Sequence, residues 1–273
     1  MSRKQLKTNT HALSTLVIVL IVIVVVASAV GALVVWWLLF GSVNLVTEEM
    51  ELSDFTEVEV GWAFDTEIIQ SASYSVIISA DEYVEVSRTG DDEYERKLTF
   101  DYIKVSKMGE VLSIGLEQGY NYRSANLLRP LTLRAEVTMP DLLELKLSGA
   151  SHGTVEGFSF SHEFNLSLSG ASSLEIDDLS AGNVTIDLSG ASNLNGEGEA
   201  DNLFISASGA SRLELSDFPV HNVNVVLSGA SRATINLDGG LDADLSGASH
   251  VLYMGDPIMG NIQTSDASTV EKK

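Results

Sequence analysis

The stretch Leu143-Glu-Leu-Lys-Leu-Ser-Gly-Ala-Ser-His-Gly-Thr-Val155 returns, changed only in detail, as Phe164-Asn-Leu-Ser-Leu-Ser-Gly-Ala-Ser-Ser-Leu-Glu-Ile176. Each copy sets alternating apolar residues before Ser-Gly-Ala-Ser and resumes the alternation after it. The tetrapeptide stands at 148–151, 169–172, 189–192, 208–211, 228–231 and 246–249, with a degenerate copy, Ser265-Asp266-Ala267-Ser268. Successive glycines (Gly149, Gly170, Gly190, Gly209, Gly229 and Gly247) are 21, 20, 19, 20 and 18 residues apart. Period-two alternation is a strand with one buried face. Each repeat therefore reads as a strand, a corner, a second strand and a variable third stretch that carries a bulky anchor such as Phe158, Leu179 or Phe218. A period near twenty is too short for a four-stranded propeller blade. No two-residue hairpin turn recurs in every repeat. The pattern predicts an all-β fold, a single-stranded parallel β-helix or solenoid of about 20-residue coils, with coils stacked ~4.8 Å apart and roughly 30 Å of regular stack. Glycine suits a corner where a Cβ would crowd; alanine is expected to fill the inside of the corner, and the serines to bond backbone groups that the bend leaves unpaired.

Ahead of the repeats, 58–68 aligns without gaps on 145–155 and keeps both the alternation and the alanine, so it reads as an early coil of the same stack. Strand-like runs cover 58–60, 67–70, 74–79, 83–88, 100–106, 111–116 and 131–138, with polar excursions at 89–99 and 117–130. Terminal coils must close an open apolar end, so irregularity is expected there; a separate small β domain is the other reading. At the far end, the worn last copy and Glu271-Lys272-Lys273 suggest that the stack caps itself.

The N-terminus differs in kind. Residues 16–40 carry no charge, and a helix of that length reaches ~37 Å, more than a bilayer's hydrocarbon requires. Arg3, Lys4 and Lys7 precede the run and Glu48, Glu49 and Glu51 follow it, which orients the N-terminus to the cytoplasm. Ala27-Ser28-Ala29 resembles a signal-peptide cleavage site, but cleavage there would leave the apolar 33–40 as a new N-terminus. The chain thus divides into a cytoplasmic basic tail (1–12), a transmembrane signal-anchor helix (13–40), a linker (41–54), irregular N-terminal coils or cap (55–140) and regular repeats (141–273). This predicts a single-pass cell-membrane protein with an extracytoplasmic C-terminal domain.

The formal net charge is −22, from 38 acidic and 16 basic residues, and no acid precedes Glu48. An acidic surface of this kind repels nucleic acid and suits solubility, cations or a basic partner. The chain has no cysteine, which removes disulfides, thiolate metal sites and thiol nucleophiles.

The opening 55–61 (Phe-Thr-Glu-Val-Glu-Val-Gly) with Ala63-Phe64-Asp65, the lead-in Met139-Pro140-Asp141-Leu142 and the Ser-Gly-Ala-Ser train together resemble the auto-transporter adhesin head GIN domain family over roughly 50–270. The resemblance implies a right-handed β-helix shaped like the pectin lyases but without their catalytic residues, and a role in adhesion.

The residues after each motif, His152, Ser173, Asn193, Arg212, Arg232 and His250, form a varied outward column: a binding strip, or simply a solvated row. A β-helix lyase or hydrolase would need clustered carboxylates and a base; Asp187, Asp242 and Asp244 point outward, and the repeats suggest no column of acids with Arg or Lys between them. The pattern predicts no catalytic, cofactor or metal residue, and Asn165 and Asn183 head glycosylation sequons that fall within strands. The expected function is a non-enzymatic, membrane-anchored surface module for adhesion or interaction with a protein or glycan. A carbohydrate-active enzyme, with an acidic groove in the third stretches, and an envelope-associated signalling partner are the alternatives.

Overall fold

The computed structural model describes residues 45–81, 84–88, 94–117 and 132–273. The tail and the apolar run of 13–40 lie outside the described residues, among which no helix is long and apolar enough to cross a membrane. The described residues form strands, with one short 3-10 turn at Thr99–Tyr102. They build a β-solenoid.

The strand before each corner stacks in parallel on its equivalent in the next repeat: Glu144–Leu147 on Glu163–Leu168, and on through Gly240–Leu245 to Ile258–Thr264. The strand after each corner does the same, from His152–Glu156 to Thr269–Lys272. A shorter third ladder pairs 179–181 with 198–200, and then Ala200 with Val220 and Val220 with Leu237. Leu145, Leu166, Ile186, Ile205, Val225 and Ala243 form one buried column, and Phe158, Leu179 and Phe218 are buried from the third side. No single coil could bury these faces alone; stacking does it.

The gap-free alignment of 58–68 on 145–155 is the register of the stack. Val58 lies opposite Leu145, Val60 opposite Leu147 and Ile68 opposite Val155. Below this coil lies one made from later sequence, Val111–Leu116 under Glu57–Val60 and Leu133–Met139 beside Asp65–Gln70. Stack order and chain order therefore part at this end. Antiparallel strands finish it. Ile103–Met108 pairs with Val111–Leu116, while Ser75–Asp81 pairs with Leu133–Met139 and in turn with Leu45–Met50, a strand inside the stretch read as linker. Thus antiparallel pairing, which the repeats do not use, closes the N-terminal end of the ladder. Part of the expected excursion 89–99 is also a strand, Tyr94–Leu98, hairpinned to Val84–Arg88.

The expected self-cap at the other end is not there. Among the described residues no strand lies beyond Ile258–Thr264 or Thr269–Lys272, and Ile258 and Met259 are 76% and 45% exposed. Glu271 and Lys272 belong to the terminal strand itself, so the polar end residues cannot fold over it.

The corner also corrects the sequence reading. All six motif alanines are exposed, and the final serine of each motif is the inward residue. The reason lies in the hydrogen-bond ledger. From corner to corner, Ser169 N–H donates to Leu147 O, Ala171 N–H to Gly149 O and Ser173 N–H to Ser151 O. The Ser148 carbonyl is left over, and Ser151 Oγ donates to it at 2.8 Å; the same bond recurs in the other five corners at 2.7–2.9 Å. An alanine inside would leave that carbonyl without a donor. The corner requires glycine for two reasons: φ is +73° to +78°, and a Cβ would strike the preceding corner, at Gly229 lying 2.5 Å from Gly209 O.

Candidate functional site

The stack sets its outward residues in columns. His152, Ser173, Asn193, Arg212, Arg232 and His250 lie opposite one another in unbroken register on six successive coils, continued by Asp65 and Arg134 on one side and Thr269 on the other. Rungs of the column bond along it: His152 Nδ1 to Ser173 Oγ at 2.7 Å, His250 Nδ1 to Thr269 Oγ1 at 2.9 Å, and Arg134 to Asp65 at 3.5 Å. Arg212 and Arg232 project into solvent.

A second feature runs along the third ladder: a groove of about 890 Å³, lined by equivalent short segments of successive coils. Ser180, Glu199, Asp201, His221 and Asp238 supply its polar groups and Phe160 an aromatic end. Ser180 Oγ donates to Glu199 at 3.3 Å, and His221 Nδ1 meets Asp238 Oδ1 at 2.9 Å with both side chains well solvated. Along its margin an asparagine ladder runs from Asn222 to Asn202 to Asn183 through 3.0 and 2.9 Å amide bonds, and Asn222 Oδ1 accepts the Gly240 N–H. At the end of the groove His162 stacks on Phe160, with centroids 4.8 Å apart, and donates to Asp141 at 2.7 Å. Partial burial pushes the imidazole down, but Asp141 and the Glu163 carbonyl outweigh it and hold His162 above its ordinary value.

The sequence reading found the column and missed the groove. The column follows from the repeat spacing. The groove lies where the ladder slips register, between Ile176 and Leu179, Asn195 and Glu197, and Leu215 and Pro219, so its residues share no fixed offset. The signal present was a row of small or apolar residues, Ala181, Ala200, Val220 and Leu237, each with a polar residue on at least one side.

Asp187, Asp242 and Asp244 face outward as expected. Acids with a base between them do occur on neighbouring coils, however: Lys146 bonds Glu144 at 2.8 Å on its own strand and Glu59 at 3.3 Å on the adjoining one, mainly through the Glu144 bond, which raises its pKa. Among the described residues no three of His, Cys, Asp and Glu converge on a point that could hold a metal ion.

A third concavity, of about 570 Å³, adjoins the first face and contains Trp62, Lys104, Met108 and Lys146. Trp62 takes the place of the corner glycine with φ +71°, its indole against Gly115. The two strands of the coil before it in the stack are separated by residues 117–132 in the sequence.

A protein family described as "putative auto-transporter adhesin, head GIN domain" matches residues 95–257. The chain belongs to this family. The match takes in the outward column from His152 to His250 and the whole lining of the groove, and leaves out Trp62. No curated protein matches the chain. Among solved structures, a "putative adhesin" of Bacteroides fragilis is 16% identical with a TM-score of 0.68, covering 85% of this chain and 98% of that one. A "putative lipid binding protein" of Parabacteroides distasonis is 19% identical with a TM-score of 0.63, covering 84% and 97%. A "putative adhesin" of Parabacteroides merdae is 18% identical with a TM-score of 0.58, covering 84% and 96%. At these identities the likeness establishes a shared fold.

Proposed function

We propose that this GIN-domain protein is a non-enzymatic surface module, anchored in the cell membrane through 13–40, which binds a surface protein or glycan lengthwise along its coils. The observation that carries the reading is the outward column, in unbroken register over six coils. It offers an extended partner one contact per coil rather than one enclosed pocket. The groove beside the third ladder has the same lengthwise character. The family description and the name "putative adhesin" borne by two of the similar structures agree with this reading. The uncharged run, with basic residues before it and acids after it, supports the anchor and its orientation.

The test is binding of the full-length chain, held in lipid nanodiscs, to glycan and surface-protein arrays, with release of reducing ends and unsaturated sugars followed in parallel. Saturable binding without turnover is the expected result. One observation favours a second reading, a carbohydrate-active enzyme: Glu199, Asp201, His221 and Asp238 share a groove long enough for several sugars. Turnover abolished by Glu199→Gln or Asp238→Asn would replace the adhesion reading with that one.

A further inference from the structure

We propose that Arg212 and Arg232 form a carboxylate-binding step for an acidic glycan; this rests on the adhesion reading and names its ligand class. From residue 132 on, six basic side chains are described. Arg134 pairs with Asp65, Lys146 with Glu59 and Glu144, Lys272 with Asp256, and Lys273 lies 3.8 Å from Glu214. Among the described residues Arg212 and Arg232 come within ion-pair distance of no carboxylate. Yet these two stand directly opposite each other on adjacent coils. Like charges facing each other across a ladder repel, and here they do so on a chain with a net charge of −22, where acids to separate them are abundant.

The nearest candidate partner, Glu214, is already engaged. Burial pushes its carboxyl up, but the hydroxyls of Ser216 and Thr234 and the charges of Lys273 and Arg212 outweigh this and hold it below the usual carboxylate value. The arginines' own donors remain open to solvent.

Coils ~4.8 Å apart bring two guanidinium forks close enough to hold one planar anion between them. On the corner side the neighbours are the exposed Ala210 and Ala230, which leave the approach clear. Two residues along their own strands stand the engaged Glu214 and the buried Thr234, and level with these on the two preceding coils are the exposed Asn195 and Glu175, whose oxygens can accept. A ligand that fits must bring a carboxylate to the arginines and hydroxyls to these acceptors. A polymer with one carboxylate every one or two sugars does both. A densely charged polyanion would meet the surrounding acids, and a peptide of consecutive acidic residues would meet the same repulsion without the hydroxyls.

The test uses the full-length chain in nanodiscs and a panel of uronate-bearing and sialylated oligosaccharides, each beside its carboxyl-reduced counterpart, with poly-glutamate and dextran sulfate as dense polyanions. The expected result is binding of at least one acidic oligosaccharide, lost on carboxyl reduction. Loss of one charged hydrogen-bonding partner should weaken it by about tenfold or more, and R212Q/R232Q by at least ~100-fold, with no fall in the thermal transition. R212K/R232K should restore only part of the affinity, because an ammonium lacks the fork. Four results would each overturn the proposal: no binding across the panel, binding untouched by R212Q/R232Q, equal binding of the reduced sugars, or preference for poly-glutamate or dextran sulfate. If the double variant still binds its partner on the arrays, the arginine step fails and the adhesion reading stands; if the wild type binds nothing on either, both fail.

Discussion

The motif corner assigns each of its residues a separate task. Ser231 is fully buried and donates to Ser228 O at 2.9 Å, Ala230 is exposed, and Gly229 holds φ +73° against the preceding corner. Ser231→Ala should therefore destabilise by ~1–3 kcal/mol, since it removes the donor to a partly buried carbonyl. Ala230→Ser should stay within about 0.5 kcal/mol of wild type. Gly229→Ala should be the most damaging, at least ~2 kcal/mol, combining a disfavoured φ with a backbone clash. Denaturant unfolding of the three variants orders them, and a damaging Ala230→Ser would refute the assignment. The glycine's role was legible in the sequence because only its backbone freedom explains it there. The serine's bond to a carbonyl that the bend leaves over was legible for the same kind of reason, whereas the alanine's apolar character points inside and its place is outside: 145, 147, 151 and 155 face inward, so parity is kept across a corner whose Gly149 and Ala150 are exposed. His162 allows a second test at this scale. Its folded pKa is raised, so its contribution is complete below the unfolded value of ~6.5 and fades as pH rises through the folded one. The stability difference between wild type and His162→Gln should be larger at about pH 5.5 than at about pH 8.5; a difference independent of pH would rule out the charged bond to Asp141.

The coil is the unit of the next scale, and its boundaries are interchangeable. Gly190 and Gly209 occupy the same corner position 19 residues apart, and the rungs that 193–195 and 202–207 make with Ser173–Leu188 recur with Arg212–Leu227, the third ladder alone differing. Deleting 190–208 joins Ser189 to Gly209 with the alternation intact. Because stability in such a stack is approximately a sum over coils and their interfaces, the shortened chain should fold, keep its β signal in circular dichroism and melt in one transition at a lower temperature. A deletion of about half a coil, 190–198, should not fold, because the strand before the corner would then run straight into the third ladder. The same regularity explains what could be read in advance at this scale. The 87-residue offset that pairs Val58 with Leu145 holds unchanged to Ile68 with Val155. The placing of Val111–Leu116 beneath Glu57–Val60 was not legible, since no periodic signal tells which neighbour in space a non-sequential coil will choose. The groove was hidden for a related reason, the bulges of the third ladder having removed its period.

Over the whole molecule the two ends of the stack are unlike, and the difference is energetic. At the N-terminal end antiparallel strands take up the backbone groups of the outermost parallel ones and bury Val76, Ile78 and Ala80 against the core. At the other end the backbone bonds run one way. Ser265, Ala267 and Thr269 donate to Leu245, Gly247 and Ser249, while among the described residues no strand accepts from the far side. Ile262 and Val270, which continue inner columns, are only partly buried. Opening the last coil therefore exposes little new apolar surface and breaks one ladder per strand, whereas opening a central coil breaks two and uncovers a full set of inward side chains. Local unfolding free energy should follow that asymmetry. Hydrogen exchange of the full-length chain is expected to show amides of 258–272 exchanging first, those of 173–227 last, and those of Leu133–Met139 nearer the centre than the C-terminal end despite their terminal place in the stack. Equal protection of 258–272 and 173–227 would mean that something covers the open ladder, and the contact could then be located by repeating the exchange on dilution: protection lost at low concentration places a second copy there, and protection retained places a segment of the chain itself.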